Sequence, residues 1–223
     1  MATVVLLGTL DTKGSEYEFL RGQLHAHGVD VTLVDVGSGG APLVEPDVGA
    51  AEVAAAAGAE LSALTDRGEA VETMARGAEA VVRRLHEEGR LQGILAVGGS
   101  GGTSIATQAM RALPVGVPKL MVSTMASGDT RPYVGAVDIA MMYSVVDIAG
   151  INAISERILA NAAAAIAAMA QVEVPARAEA RPLIGATMFG VTTPCVTHAR
   201  ERLEELGYEV LVFHATGTGG QSM

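Results

Sequence analysis

The chain has 223 residues, a formal net charge of -10, 27 glycines, a single cysteine and only 3% aromatics. Its length suits one sizeable domain and part of another, with a core drawn from Val, Leu, Ile, Met and Ala. The negative balance argues against nucleic acid or an anionic membrane as the main partner, and one cysteine excludes an internal disulfide framework and fits a cytoplasmic setting.

The N-terminus has neither a positive n-region nor a cleavage pattern, so no signal peptide is expected. Residues Thr3 to Leu7 form an apolar run suited to a buried parallel strand. It ends in Gly8-Thr9-Leu10-Asp11-Thr12-Lys13-Gly14, and a helix is expected over Ser15 to Ala26, stopped by Gly28. Asp11 reads either as a metal or ribose ligand or as a helix cap, and Lys13 either as a phosphate partner or as a solvated charge. A second strand, Val29 to Val36, ends near Asp35, where a dinucleotide site would carry its acid. The first turn lacks GxGxxG, which argues against NAD.

Residues 41–66 read as an excursion with a short alanine helix, and Arg67 to Glu88 as a long amphipathic helix. The next strand, Gln92 to Val97, runs into Gly98, Gly99, Ser100, Gly101, Gly102 and Thr103, ahead of a helix expected over Ser104 to Leu113. Glycines let main chain approach an anion closely, and the first amides of a helix have no partners of their own. With no Lys following the glycines, this is not the GxxxxGK[ST] loop.

A strand over Lys119 to Ser123 leads into a loop carrying Ser123, Thr124, Gly128, Asp129 and Arg131, with Arg131 as the best fixed cation for a phosphate. Asp138 to Ile148 is expected as an inner or edge strand, and Asn152 to Met169 as an alanine-rich helix. The apolar segment Ile158 to Ala170 reads as too short to span a bilayer. A polar linker, 173–182, separates a first Rossmann-like domain, 1–172, from a strand–helix–strand start of a second, 183–223. A lone βαβ unit cannot close a core, so the chain reads as a piece of something longer or as partner-dependent.

Cys195 follows Pro194 at a helix start, where a buried small residue is the simpler reading than a nucleophile. The five histidines show no metal spacing, and GxSxG, HExxH and CxxC are absent.

Several motifs, in order, carry a family likeness: Gly8 to Gly14, Gly98 to Thr103, Ser123 to Asp129, Tyr143 to Asp147 and Phe213 to Gly220. Together they resemble the Tm-1-like ATP-binding domain family, proteins akin to the ATP-binding N-terminal domain of the tomato mosaic virus resistance protein. The resemblance implies a two-domain Rossmann-like architecture, ATP binding and homodimers, and it implies that this chain holds the first domain and the start of the second.

The expected fold is therefore α/β, a mainly parallel sheet with helices on both faces. The expected function is nucleotide binding with Mg²⁺ bridging phosphates, the reaction itself open. The candidate ligand residues are Thr9, Asp11, Lys13, Gly98, Gly99, Ser100, Gly101, Gly102, Thr103, Ser123, Thr124, Gly128, Asp129 and Arg131. The alternatives are an enzyme acting on a small phosphorylated or carboxylated metabolite, and a protein-interaction module in which ATP is structural.

Overall fold

Continuous apolar runs become strands buried on both faces, as parallel strands between helix layers must be. They are β1 (Thr3–Gly8), β2 (Asp30–Asp35), β3 (Gly93–Gly98) and β4 (Lys119–Ser123), joined at one edge by the more exposed β5 (Ala140–Tyr143). The computed structural model describes residues 1–175 and 180–223; residues 176–179, inside the expected linker, lie outside the described residues. The chain divides into two units, residues 1–134 with 138–172, and residues 135–137 with 173–223.

In the first unit all neighbouring strands are parallel and the order is β2-β1-β3-β4-β5. The connecting helices are α1 (Leu10–Ala26), α2 (Ala50–Ala56), α3 (Arg67–Glu87), α4 (Ser100–Arg111), the single turn α5 (Arg131–Val134) and α6 (Ala153–Ala170). Helices α1 and α6 lie together on one face, where Leu20, Leu24, Leu159 and Ile166 meet Val4, Leu6, Leu95 and Val97. Helices α2, α3 and α4 pack together on the other, burying Met74, Val81, Leu85, Ile105 and Met110. In α3 those apolar side chains recur at helical spacing, and Asp66 caps the helix by accepting from the Glu69 amide at 2.9 Å.

Helix α6 has 18 residues, as many as the helix expected over Asn152 to Met169, and a mean hydropathy of 1.3, long and apolar enough to cross a membrane by that count, unlike the segment Ile158 to Ala170 alone. Its Leu159, Ala162, Ala163, Ile166 and Ala167 are nonetheless buried against the sheet, so it is a core helix.

Strand order 2-1-3-4-5 places a topological switch between β1 and β3: the chain leaves β1 toward one edge and β3 toward the other. Tyr17 of α1 fills the gap that opens there. The two strands pair only as far as Leu7 with Ala96. Beyond that point the Tyr17 hydroxyl donates to Leu7 O at 2.6 Å, with Val97 O also in reach at 3.0 Å, and accepts from the Val97 amide at 2.9 Å. A Cβ on Gly8 would come within 2.0 Å of the Tyr17 ring, so only glycine lets the phenol lie there. Burial pushes the Tyr17 phenol well above its usual range.

The second unit holds β6 (Leu183–Met188) and β7 (Glu209–His214), a parallel pair linked by α7 (Thr193–Glu205), and ends in the short α8 (Gly219–Ser222). None of the residues in β6, α7 or β7 is buried.

Three local expectations change. Helix α1 starts at Leu10, not Ser15, because Asp35 Oδ1 accepts the Leu10 amide at 3.1 Å and Thr9 O accepts the Lys13 amide at 2.9 Å. Lys13 itself is non-helical, at φ -124 and ψ 22, and kinks the first turn. Helix α4 starts at Ser100, not Ser104, so the glycines form its first turn, closed by the Thr103 amide donating to Gly99 O at 2.8 Å. Only Ala140–Tyr143 of the expected strand 138–148 pairs with β4; the chain then turns sharply at Val145, φ +64.

Candidate functional site

The turns after β1 and β3 meet at the switch point, and a cleft of about 560 Å³ opens between them. Thr9, Asp11, Thr12 and Lys13 line it from α1, and Gly98, Gly99, Ser100, Gly101 and Gly102 from the start of α4. Val36, Ser38 and Gly39 come from the β2 turn, Thr65, Asp66 and Arg67 from the start of α3, and Asp147 from the loop after β5. Leu64, Ala70, Val71 and Ile105 give it an apolar side. The size lies within the range of small-molecule pockets.

The base of the cleft at α4 is main chain. Among the described residues, the amides of Ser100, Gly101 and Gly102 have no protein acceptor, and Gly99 supplies no side-chain cap. They are the orphan donors of a helix N-terminus, facing open space. A Cβ on Gly98 would come within 3.0 Å of Gly102 Cα, so the strand end must be glycine for the helix to start this close. A Cβ on Gly101 would meet nothing within 4 Å, because that face is the cleft.

Asp11 and Asp35 lie side by side at the β1–β2 edge. Asp35 is 1% exposed, and its Oδ1 accepts the amides of Leu10, at 3.1 Å, and Gly37, at 2.8 Å. Burial pushes the Asp35 carboxyl up, the Gly37 and Leu10 amides pull it down, and the charge of Asp11 adds to the rise, which prevails. Its role is to fix the two turns. Asp11 does not cap α1. Its Oδ2 accepts the Gly39 amide at 2.8 Å, while its Oδ1 is buried with no hydrogen-bond partner. Lys13 Nζ donates to Ile148 O, which ties α1 to the loop after β5.

The structure separates the expected ligand residues into three sets. Thr9, Asp11, Lys13, Gly98, Gly99, Ser100, Gly101 and Gly102 share the cleft. Thr103 and Ser123 are fully buried behind it, their hydroxyls 2.7 Å apart, with Thr103 Oγ1 donating to Gly99 O at 2.7 Å; they brace the turn. Thr124 lines a neighbouring hollow, whereas Gly128, Asp129 and Arg131 line neither. Arg131 therefore does not serve as the cleft cation. Its guanidinium bonds Asp129 at 2.8 and 2.7 Å, 82% exposed, and holds that carboxyl down at about 2.

The side chain that sequence reading passed over is Arg67, the first residue of α3. It lines the cleft and, among the described residues, has no carboxylate partner. A position just inside a helix start, opposite a glycine turn, was the available signal. Asp147 was likewise passed over as a ligand.

Residues 2–175 match the N-terminal domain of an uncharacterised protein family (UPF0261), and residues 181–223 match its C-terminal domain. The chain belongs to the UPF0261 family. A UPF0261 protein of Clostridium tetani is 53% identical over 99% of this chain and 55% of its own length. One from Rhizobium meliloti is 50% identical over 100% of this chain and 55% of its own. The tomato ToMV resistance protein Tm-1(GCR237) is 46% identical over 162 residues, 70% of this chain and 22% of that protein. Kinship with the Tm-1-like family, expected from the motifs, holds. The chain spans about half the length of the bacterial UPF0261 relatives it matches, 55% in these two cases.

Proposed function

We propose that the cleft binds a nucleoside triphosphate, ATP in the first instance. The free amides of Ser100, Gly101 and Gly102 carry the reading, because three unpartnered donors at a helix start favour phosphate oxygens. Lys13 and Arg67 add positive charge on the facing walls, and Leu64, Val71 and Ile105 offer an apolar bed for a base. Thr9 and Ser38 stand at the rim as hydroxyl partners.

Among the described residues no group of three or more His, Cys, Asp or Glu side chains is placed to hold a metal ion. Mg²⁺ fits here as a companion of the phosphates, since it binds through one or two carboxylates plus phosphate oxygens. Asp11, with its unpartnered Oδ1, is the residue that would hold it. The ion would neutralise phosphate charge beside that carboxylate. A cytoplasmic homodimer suits the reading, because that compartment supplies ATP and keeps the exposed Cys195 reduced.

Gly101→Glu tests it. A carboxylate in the first turn favours the helix, and the new side chain has room. The variant is expected to fold at least as well as the parent and to lose ATP binding by calorimetry. Undiminished binding in this variant, or no heat from ATP with the parent chain, would overturn the reading. Heat from a sugar phosphate alone would shift it to a metabolite enzyme.

A further inference from the structure

A second hollow, about 320 Å³ and open, lies at the carboxyl ends of β4 and β5. Thr124, Tyr143, Ser144, Val145, Val146 and Asp147 line it. It adjoins the first cleft at two points. Asp147 lines both, and Thr124 stands beside the glycine turn, its Oγ1 3.8 Å from where a Gly99 Cβ would lie.

The two linings differ in chemistry. The cleft offers cations and free amides; the second hollow has no basic side chain. Its carboxylate would repel a second phosphate, and its hydroxyls and carboxylate can exchange hydrogen bonds with a neutral molecule that bears hydroxyl groups. Asp147 can accept in this way, since it is an exposed residue whose Oδ1 takes the Ile148 amide at 2.8 Å, while among the described residues no hydrogen bond reaches its Oδ2.

The loop is tied to α1 toward its C-terminal end, through Lys13 to Ile148 O and through Glu16 Oε1, which accepts the Gly150 amide at 2.7 Å. Just ahead of these ties the Val146 amide donates to Ser144 O at 2.7 Å, forming a γ-turn about Val145. A β-branched residue at φ +64 is costly, and such conformations persist where surrounding structure imposes them. The cost is met here in the turn that aims Asp147 at the shared wall.

We propose that the second hollow seats a neutral, hydroxyl-bearing co-substrate, and that Asp147 is the catalytic base for phosphoryl transfer to it. The proposal rests on the nucleoside triphosphate reading of the first cleft. The co-substrate oxygen bonds to the terminal phosphorus, and the bond from that phosphorus to the bridging oxygen breaks. Its electron pair leaves on the diphosphate, and the hydroxyl proton passes to Asp147 and then to water. No oxidant or reductant takes part. Catalysis of this kind is mostly positioning and charge stabilisation, which the main-chain cradle and Lys13 supply.

The test uses the full chain, Mg²⁺ and ATP labelled on the terminal phosphate, with glycerol as the hydroxyl probe and equilibrium dialysis to read ATP binding separately. The expected result is labelled glycerol phosphate. Asp147→Asn, which keeps an acceptor for the Ile148 amide, should lower its rate at saturating ATP by about 100-fold and remove the acid limb of the pH profile. Tyr143→Phe should leave that limb in place. Bound ATP with no label transferred to glycerol overturns this proposal and leaves the nucleotide reading standing. Transfer unaffected by Asp147→Asn overturns the role of Asp147. Failure to bind ATP overturns both.

Discussion

Strands β1 and β6 open the two units in the same way: a short apolar run, a turn with glycine, a helix, then a parallel partner. Their surroundings differ completely. Val4 to Leu7 have 0% exposure, whereas Leu183 at the head of β6 is 64% exposed. Both runs carry enough local preference for a strand, so the difference lies in neighbours. Strand β1 has a partner on each edge and helices over both faces; β6 has one partner, β7, in a sheet of two. A strand–helix–strand unit specifies its own local geometry and leaves most of its burial to whatever stands beside it.

That contrast can be broken most sharply at Tyr17. Tyr17→Ala removes a fully buried ring at the seam between β1 and β3 and should cost about 3–5 kcal/mol. Tyr17→Phe keeps the ring but leaves Leu7 O and the Val97 amide without the hydroxyl, and should cost about 1–3 kcal/mol. Hydrogen exchange of β1 amides reads both, and exchange at β7 should not change. Equal acceleration in both strands would mean that the units unfold together.

Next in size is Asp138→Asn. Lys119 is buried with 0% exposure, its Nζ donating to Pro114 O, Val117 O and Asp138 Oδ1 at 2.7 to 2.8 Å. Burial pushes the Asp138 carboxyl up, but the bonds from Lys119 and the Gly116 amide outweigh it and hold the carboxyl below its usual 3.8. A depressed folded value means that stability is present above 3.8 and is lost as pH falls through the folded value. The variant should therefore be less stable than the parent at neutral pH, by about 1 kcal/mol given the 41% exposure of the Asp138 side chain, and the gap should close in acid. Urea melts at several pH values decide it.

Asp35→Asn should move the other way. Its carboxyl is raised in the folded state, so the charge costs stability at neutral pH and the cost fades as pH falls toward 3.8. An amide oxygen can still accept from Leu10 and Gly37. The variant should match or exceed the parent at neutral pH, with that margin shrinking in acid; a marked loss at neutral pH would show that the charge itself holds the two turns. The smallest effect is expected at Leu211→Ala in β7, where 39% exposure limits the change to under about 1 kcal/mol. A larger loss, seen as faster exchange of β7 amides, would reveal a burial partner for that unit.

The sheet was readable because each buried strand announces itself as an uninterrupted apolar run, Ile94 to Val97 being the plainest. The glycine turns were readable as one edge of the sheet for the same reason: they stand at the ends of such runs, and the structure places them along the cleft. The true start of α1 was not, because Asp35, 25 residues away, holds the Leu10 amide, and Asp11-Thr12-Lys13-Gly14 has poor helix propensity of its own. The start of α4 was missed because glycine usually marks a loop, whereas here Gly98 lets the helix begin almost in contact with the strand. Arg131 and Arg67 show the limit most clearly. Both are arginines near a helix start, and only the fold reveals that one is neutralised by its neighbour Asp129 while the other lines the cleft.

Tyr17 has a further consequence for the whole molecule. One phenol oxygen stitches the main chains of two strands together at the point where they part, directly behind the two glycine-bearing bends. Any widening of the mouth by spreading β1 from β3 would have to rip that stitch in a dry interior. The bends therefore behave as jaws on a welded hinge, and their spacing is a fixed gauge.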